Sequence, residues 1–112
     1  MGDKPSRYLL IESQGNWAGP NAGRFLGDAS ALAKSGHQVS VFLVQDGVFA
    51  AVNDSVPEIA TLAELGATVW ADDFSTAQRA LPARSLSPHV KLVGMDSVAK
   101  LLMSDGCRAV WH

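Results

Sequence analysis

Two adjacent carboxylates, Asp72 and Asp73, stand where the apolar run ATVWA ends. Neighbouring carboxylates could bind a cation or exchange a proton with a substrate. The residues that follow, FSTAQRAL, instead favour a short helix with Phe74, Ala77 and Leu81 on its inner side, and aspartate is a preferred residue at a helix start. Because the spacing identifies no second acid–base residue, we interpret the pair as one helix cap and one solvated acid. A functional carboxylate is the alternative.

The chain contains a single thiol, Cys107. One cysteine excludes an internal disulfide framework and a cysteine-based zinc cluster. At the start of a β-rich run, such a residue is most often a small buried hydrophobic side chain. Arg108 would activate the thiol only if the two side chains met, and neighbours on a strand point to opposite faces.

The three histidines, His37, His89 and His112, show no metal-ligand spacing. Nothing resembles the H-E-x-x-H pattern of zinc enzymes. We therefore interpret the histidines as surface residues and predict neither a metal ion nor a cofactor.

The segment SQGNWAGP, residues 13–20, is rich in glycine and leads into a predicted helix. Backbone N–H groups at such a place can hold an anion, but no phosphate-binding motif is present and no lysine follows. We interpret the segment as a strand-to-helix connection. Trp17 is its exception, because a large apolar ring on a polar loop usually covers a ligand or a neighbouring subunit.

One pattern positions these residues: an amphipathic stretch ends at a glycine and a β-rich run follows. The stretches are 22–35, 56–65 and 95–105; their glycines are Gly36, Gly66 and Gly106; the runs are 38–44, 67–71 and 107–111. Glycine suits the left-handed residue just past a helix. Strands without clean alternation are typical of parallel sheets covered by helices on both faces. The prediction is an α/β fold, a three-layer sandwich with a mainly parallel five-stranded sheet.

Further elements follow from shorter patterns. Ser55 and Glu58 form a capping-box pattern before the second helix, and VKLV at 90–93 is the expected fourth strand. GVFAAV at 47–52 is apolar almost all round and indicates a short buried helix. The same segment could also serve at a subunit contact.

Ligands of open parallel sheets bind beyond the carboxyl ends of the strands. That rule selects the residues that follow each strand, including two of the three tryptophans. The predicted binding rim comprises Trp17, Gln45, Asp46, Trp70, Asp72 and Asp73.

Composition and charge bound the function. The chain has 112 residues, 47% of them apolar, and a net charge of −2. It carries no basic stripe for nucleic acid. Its longest early apolar run is too short for a signal peptide, which needs roughly 7–15 residues, or for a membrane span. We expect one cytoplasmic domain over residues 1–112, with a flexible terminus at 1–6 and no contact with nucleic acid or membrane.

Three stretches resemble the DsrE/DsrF-like family: YLLIES, then LAKSGHQVSVFLVQDGVFAA, and finally VKLVGMDSVAKLLMSDGCRAVWH. The resemblance implies a small flavodoxin-like subunit that assembles into homotrimers or homohexamers. It also implies a link to sulfur relay, because several members pass sulfur between partner proteins as a cysteine persulfide, a step that needs an accessible thiolate.

The chain departs from the family where that cysteine would stand. The sulfur-carrying members place it after the third strand, whereas this chain has ADDFS there. A carboxylate cannot carry a persulfide. We therefore expect a non-catalytic binding or scaffold subunit, with a small ligand or a sulfur-relay protein as its partner. The alternative is a sulfurtransferase that uses Cys107.

Overall fold

The computed structural model describes residues 6–15 and 21–112. Five parallel strands form one sheet in the order β4-β3-β2-β1-β5. The strands are β1 (Arg7–Glu12), β2 (Gln38–Leu43), β3 (Thr68–Asp72), β4 (Val90–Val93) and β5 (Cys107–Trp111); the helices are α1 (Asn21–Lys34), α2 (Glu58–Glu64), α3 (Asp73–Gln78) and α4 (Met95–Leu102). The predicted α/β architecture is confirmed. No helix in these two ranges is both long and apolar enough to cross a membrane.

Two predictions fall wholly or partly on other residues. Residues 1–5 of the expected flexible terminus and residues 16–20 of the glycine-rich segment lie outside the described ranges.

Glycines end the three main predicted helices. Gly36, Gly66 and Gly106 all have positive φ, at 91°, 84° and 74°. This left-handed conformation is unfavourable for residues with a Cβ atom. The helix–glycine–strand pattern therefore correctly predicted where these three helices end.

Helices α1 and α2 cover one face of the sheet. Their apolar side chains Phe25, Leu26, Ile59 and Leu62 pack into the larger core cluster. The strand residues of that cluster alternate along the chain, which places every second side chain on this face. They are Leu10, Val39, Val41, Leu43, Val69 and Ala71.

Helix α4 covers the other face, which we call the α4 face. Val98 packs with Leu9, Ile11, Phe42 and Val93 in a smaller core cluster. Val98 is the buried side chain of this eight-residue helix. Because α4 is short, large apolar side chains remain exposed on and near it: Met95, Leu102, Met103, Phe74 and Trp111.

The predicted apolar helix after β2 is a 3₁₀ helix, Gln45–Ala51. Gly47, Val48, Ala50 and Ala51 are buried within the chain's own core. The buried helix is confirmed. The role of this segment at a subunit contact stays a prediction. Gly47 approaches β1 so closely that an added β-carbon would overlap the carbonyl oxygen of Glu12 and lie 2.8 Å from its carbon.

The capping box proposed for the second helix is not formed. Helix α2 starts after Pro57 without a side-chain cap. The Ser55 hydroxyl instead donates to the carbonyl oxygens of Phe49 at 3.1 Å and Ala50 at 3.3 Å. Proline carries no backbone N–H, so the turn is fixed by Ser55 reaching back to the 3₁₀ helix.

Candidate functional site

Asp72 is the cap of helix α3. It closes β3 with only 4% exposure, and its Oδ2 accepts hydrogen bonds from the Ser75 N–H at 2.9 Å and the Ser75 hydroxyl at 2.6 Å. The hydroxyl in turn accepts from the Gln45 N–H at 2.9 Å. Ser75 thereby ties the end of β2 to the end of β3, and the Asp72 carboxylate is engaged in this network. One member of the aspartate pair thus caps a helix, as the sequence indicated.

Asp73 is the exposed member of the pair. Its carboxylate lies near the start of α4, since a β-carbon added at Gly94 would be 3.8 Å from Asp73 Oδ2. The predicted inner face of α3 is wrong: Phe74 is 66% exposed, and Ser75 and Thr76 are the buried residues. The helix turns polar residues inward because their hydroxyls bond Asp72 and the Asp73 carbonyl oxygen.

Asp46 forms an ion pair across the same edge. Arg79 donates from Nε at 3.1 Å and from Nη2 at 3.0 Å to Asp46 Oδ1. Arg79 Nη1 also donates to the Ser75 carbonyl oxygen at 3.2 Å. The carboxyl ends of β2 and β3 are therefore joined twice. Gln45, between them, has a positive φ of 53° and an exposed side chain.

The two tryptophans of the described residues, Trp70 and Trp111, lie on the α4 face. Trp17 lies outside the described residues. Trp70 is partly buried against the α4-face cluster. Trp111 shares that face, because it is paired with Ile11 across the parallel ladder, and it is 66% exposed. Of the predicted rim, the structure brings together Gln45, Asp46 and Asp72.

The structure also brings together two residues that no sequence pattern selected, Glu12 and His112. Glu12 ends β1 at 1% exposure. His112 Nδ1 lies 2.8 Å from Glu12 Oε2 and 3.0 Å from Oε1. The imidazole stacks on the Phe25 ring, with 5.0 Å between centroids and 26° between planes. The Ser13 N–H at 2.9 Å and hydroxyl at 2.8 Å both donate to the His112 carbonyl oxygen.

Burial raises the pKa of Glu12, and the hydrogen bond with His112 offsets part of that rise. With Nδ1 directed at the carboxylate, the imidazole keeps Nε2 for solvent or a ligand. Glu12, a charged residue at the end of the apolar run LLIE, was the sequence signal that could have pointed to this pair. Its partner stands 100 residues away, beyond the reach of any local pattern.

His89 is exposed, in agreement with the surface interpretation, whereas His37 and His112 are partly buried surface residues whose rings are held by specific contacts. His37 Nδ1 accepts from the Ser6 N–H at 3.0 Å and its ring meets Tyr8 edge-on. His112 is fixed by Glu12. Within residues 6–15 and 21–112, no three side chains of His, Cys, Asp or Glu form a group that could hold a metal ion.

Two of the recesses on the described surface have a histidine in their lining. One of about 180 Å³ is lined by Arg24, Phe25, Asp28 and His112. Another, of about 440 Å³, lies between the start of α2 and the turn before β4, and His89 is part of its lining. Neither includes a residue of the predicted rim.

Cys107 lies at the start of β5, at the opposite end of the strands from Asp72 and Glu12. It is partly buried and packs against the α4-face cluster. Its N–H donates to the Ser104 carbonyl oxygen at 3.3 Å. The thiol is therefore far from the residues that follow the third strand.

Comparison with solved structures finds the same fold. The ychN protein from E. coli superposes with a TM-score of 0.81 at 17% identity, covering 94% of this chain and 99% of that chain. MTH1491 from Methanobacterium thermoautotrophicum, a protein of unknown function, gives 0.77 at 14%, covering 96% and 99%. BT1422 from Bacteroides thetaiotaomicron, a conserved protein of unknown function, gives 0.77 at 13%, covering 96% and 95%.

Comparison with curated protein sequences finds no significant match. The sequence profile of the DsrE/DsrF-like family, in contrast, matches residues 8–110, which span all five strands. The chain belongs to the DsrE/DsrF-like family.

Proposed function

We propose that this chain is a non-catalytic binding or scaffold subunit that works as a homo-oligomer, a trimer or a hexamer, in a cytoplasmic setting of sulfur metabolism. Family membership supports the sulfur setting. The observation that carries the non-catalytic role is the state of Asp72. It lies in the segment ADDFS, where the family resemblance places the cysteine of sulfur-carrying members, and it is a buried helix cap bonded to Ser75.

A buried cap is unsuited to group transfer for two reasons. Its carboxylate has no thiol chemistry. Its oxygen is also held by two hydrogen bonds whose loss would open the start of α3. The neighbouring Asp73 is exposed but has no hydrogen-bonded acid–base partner among the described side chains.

The oligomer is supported by apolar side chains that the fold leaves exposed. Trp111 and Phe74 are each 66% exposed, and Met95 and Met103 lie on or beside α4. Large exposed apolar patches are typical of protein interaction sites. Multi-angle light scattering of the purified chain tests this part: a mass of three or six subunits supports the proposal, and a monomer contradicts it.

The alternative function is sulfur transfer through Cys107. The partial exposure of this thiol supports it. Its place at the far end of β5 and its packing in an apolar cluster disfavour it.

Intact-protein mass spectrometry after incubation with a persulfide donor separates the two functions. We expect no adduct on the native protein and an adduct of about 32 Da, one sulfur atom, only in denaturant. Cys107→Ser is the control, because it must abolish any adduct. A native adduct that Cys107→Ser removes would overturn the non-catalytic proposal in favour of the transferase.

A further inference from the structure

Strand β5 forms one edge of the sheet, with β1 as its neighbour. The His112 N–H donates to the Ile11 carbonyl oxygen at 2.8 Å, and the His112 carbonyl oxygen accepts from Ser13 at 2.9 Å. Residue 112 therefore directs both backbone groups toward β1. Because these directions alternate along a strand, Arg108 and Val110 also bond inward, whereas Ala109 and Trp111 direct their N–H and C=O groups outward. The Cys107 C=O group points outward as well, but its N–H donates to the Ser104 carbonyl oxygen at 3.3 Å.

This edge lacks the usual protection against pairing. Arg108, Ala109, Val110 and Trp111 are all exposed. The strand has no proline and a single charged residue, and its five residues form an uninterrupted ladder with β1. Exposed edges with these properties are templates for another strand.

We infer that β5 pairs antiparallel with β5 of a second copy of this chain, about a two-fold axis at Ala109. The inference rests on the proposed homo-oligomer and selects its hexameric form, because a trimer alone contains no two-fold axis. At the axis, each Ala109 N–H donates to the Ala109 carbonyl oxygen of the other copy. Such a contact uses the same surface on both subunits and closes on itself.

The side chains fit this register. Arg108 stands opposite Val110 of the second copy, so its aliphatic stem covers an apolar residue and the two arginines are not opposed. Cys107 stands opposite Trp111, and both lie on the α4 face of their own sheets. The small Ala109 side chains meet at the axis, where they permit close approach of the backbones.

Other symmetric registers fit less well. An axis at Arg108 places two like charges directly opposite each other, which is destabilising. An axis at Trp111 pairs only Trp111 within the strand and leaves its other four residues without a partner in β5. The axis at Ala109 alone pairs all five residues of β5, 107 through 111.

Cross-linking by engineered cysteines tests the register. In a Cys107→Ser background, Ala109→Cys places two thiols across a hydrogen-bonded pair whose Cα atoms are about 5.5 Å apart, within the range that a disulfide spans. Mild oxidation should link nearly all of this variant into dimers. The matched control, Val110→Cys, places its thiols on the diagonal, about 7–8 Å apart, and should remain largely unlinked.

The outcomes separate this inference from the proposed function. If the wild type is oligomeric by light scattering but Ala109→Cys does not link, or links no better than Val110→Cys, the β5 interface is wrong and the oligomer stands. If the wild type is a monomer and neither variant links, both are overturned.

A proline pair gives an independent measurement. Ala109→Pro removes an N–H that points away from β1, so the subunit should fold and the β5 contact should be lost, halving a hexamer's mass. Val110→Pro removes an N–H that bonds β1, and should destabilise the subunit itself. An unchanged mass for folded Ala109→Pro would contradict the inference.

Discussion

Asp72 and Asp73 are adjacent acidic residues with different structural roles. Asp72 is buried and bonded twice to Ser75, whereas Asp73 is exposed. We predict that Asp72→Ala lowers the free energy of unfolding by roughly 2 kcal/mol, because it removes a helix cap and leaves the Ser75 hydroxyl without its acceptor. Asp73→Ala, the matched control, should change it by less than about 0.5 kcal/mol. Urea denaturation measures both, and equal effects would contradict the assigned cap.

Protonation of Glu12 makes the free energy of unfolding depend on pH. Burial raises its pKa in the folded protein, so the folded state holds the proton more tightly than the unfolded state. The stabilisation that Glu12 contributes is therefore fully present below its ordinary pKa. It is lost as the pH rises through the higher pKa that Glu12 has in the folded protein.

We predict that Glu12→Gln removes this decline while keeping an acceptor for His112 Nδ1. The wild type should lose stability relative to Glu12→Gln as the pH rises above 4.5, the ordinary pKa of this group, as measured by urea denaturation at several pH values. Asp73→Asn is the control for replacing a carboxylate by an amide, because Asp73 is exposed. Parallel profiles for wild type and Glu12→Gln would contradict this role of Glu12.

Whether a contact between two residues can be predicted from sequence depends on how many residues separate them along the chain. The Asp72 cap was predictable because its partner is three residues away. The Glu12–His112 pair was not, because 100 residues and four strand connections separate them.

Among the elements, the 3₁₀ helix after β2 is held by a close contact at Gly47. Its added β-carbon would overlap the Glu12 carbonyl oxygen, and both sides of that contact are backbone. Gly47→Ala should therefore lower the free energy of unfolding by about 3 kcal/mol or more, since the 3₁₀ helix must move away from β1.

Gly27→Ala is the matched control for this prediction. Gly27 lies inside α1, and its added β-carbon meets nothing within 4 Å. Alanine there should raise stability by roughly 0.5–1 kcal/mol through its better helix propensity. Thermal melts of both variants give the comparison, and a stable Gly47→Ala would show that the 3₁₀ helix tolerates displacement.

Helix ends were more predictable than helix faces. The glycines past α1, α2 and α4 were predicted correctly because a left-handed residue restricts the amino acid locally. The inner face of α3 was wrong because six residues make less than two turns, too few for apolar spacing to define a face. Ser75 and Thr76 then face inward through hydrogen bonds that hydrophobic spacing does not represent.

For the whole molecule, assembly should appear as a dependence of stability on concentration. Oligomers gain stability by mass action, so the melting temperature of the wild type should rise between about 1 µM and about 100 µM subunit. Ala109→Pro should show a weaker rise, because one interface is lost. A melting temperature that is independent of concentration in the wild type would contradict a reversible oligomer.

The parallel sheet was predictable at this scale, because apolar runs without alternation indicate strands covered on both faces. The strand order was not predictable in the same way, because an apolar run shows that a strand is buried but not which strands lie beside it. Strands β1 to β4 lie side by side in chain order, and the chain then returns so that β5 pairs with the other side of β1. The recess beside His112 depends on that return, as does the exposed edge at Ala109.

The same strand order has a consequence for biosynthesis. The ribosome makes β1 about 100 residues before β5, an interval of about 5–20 s at ordinary elongation rates. Throughout that time, Leu9, Leu10 and Ile11, among the most buried residues of the finished protein, belong to a strand with one open side. Neighbouring nascent chains on one messenger have the same open side, so we expect β1 to be exposed to pairing between them until β5 is made.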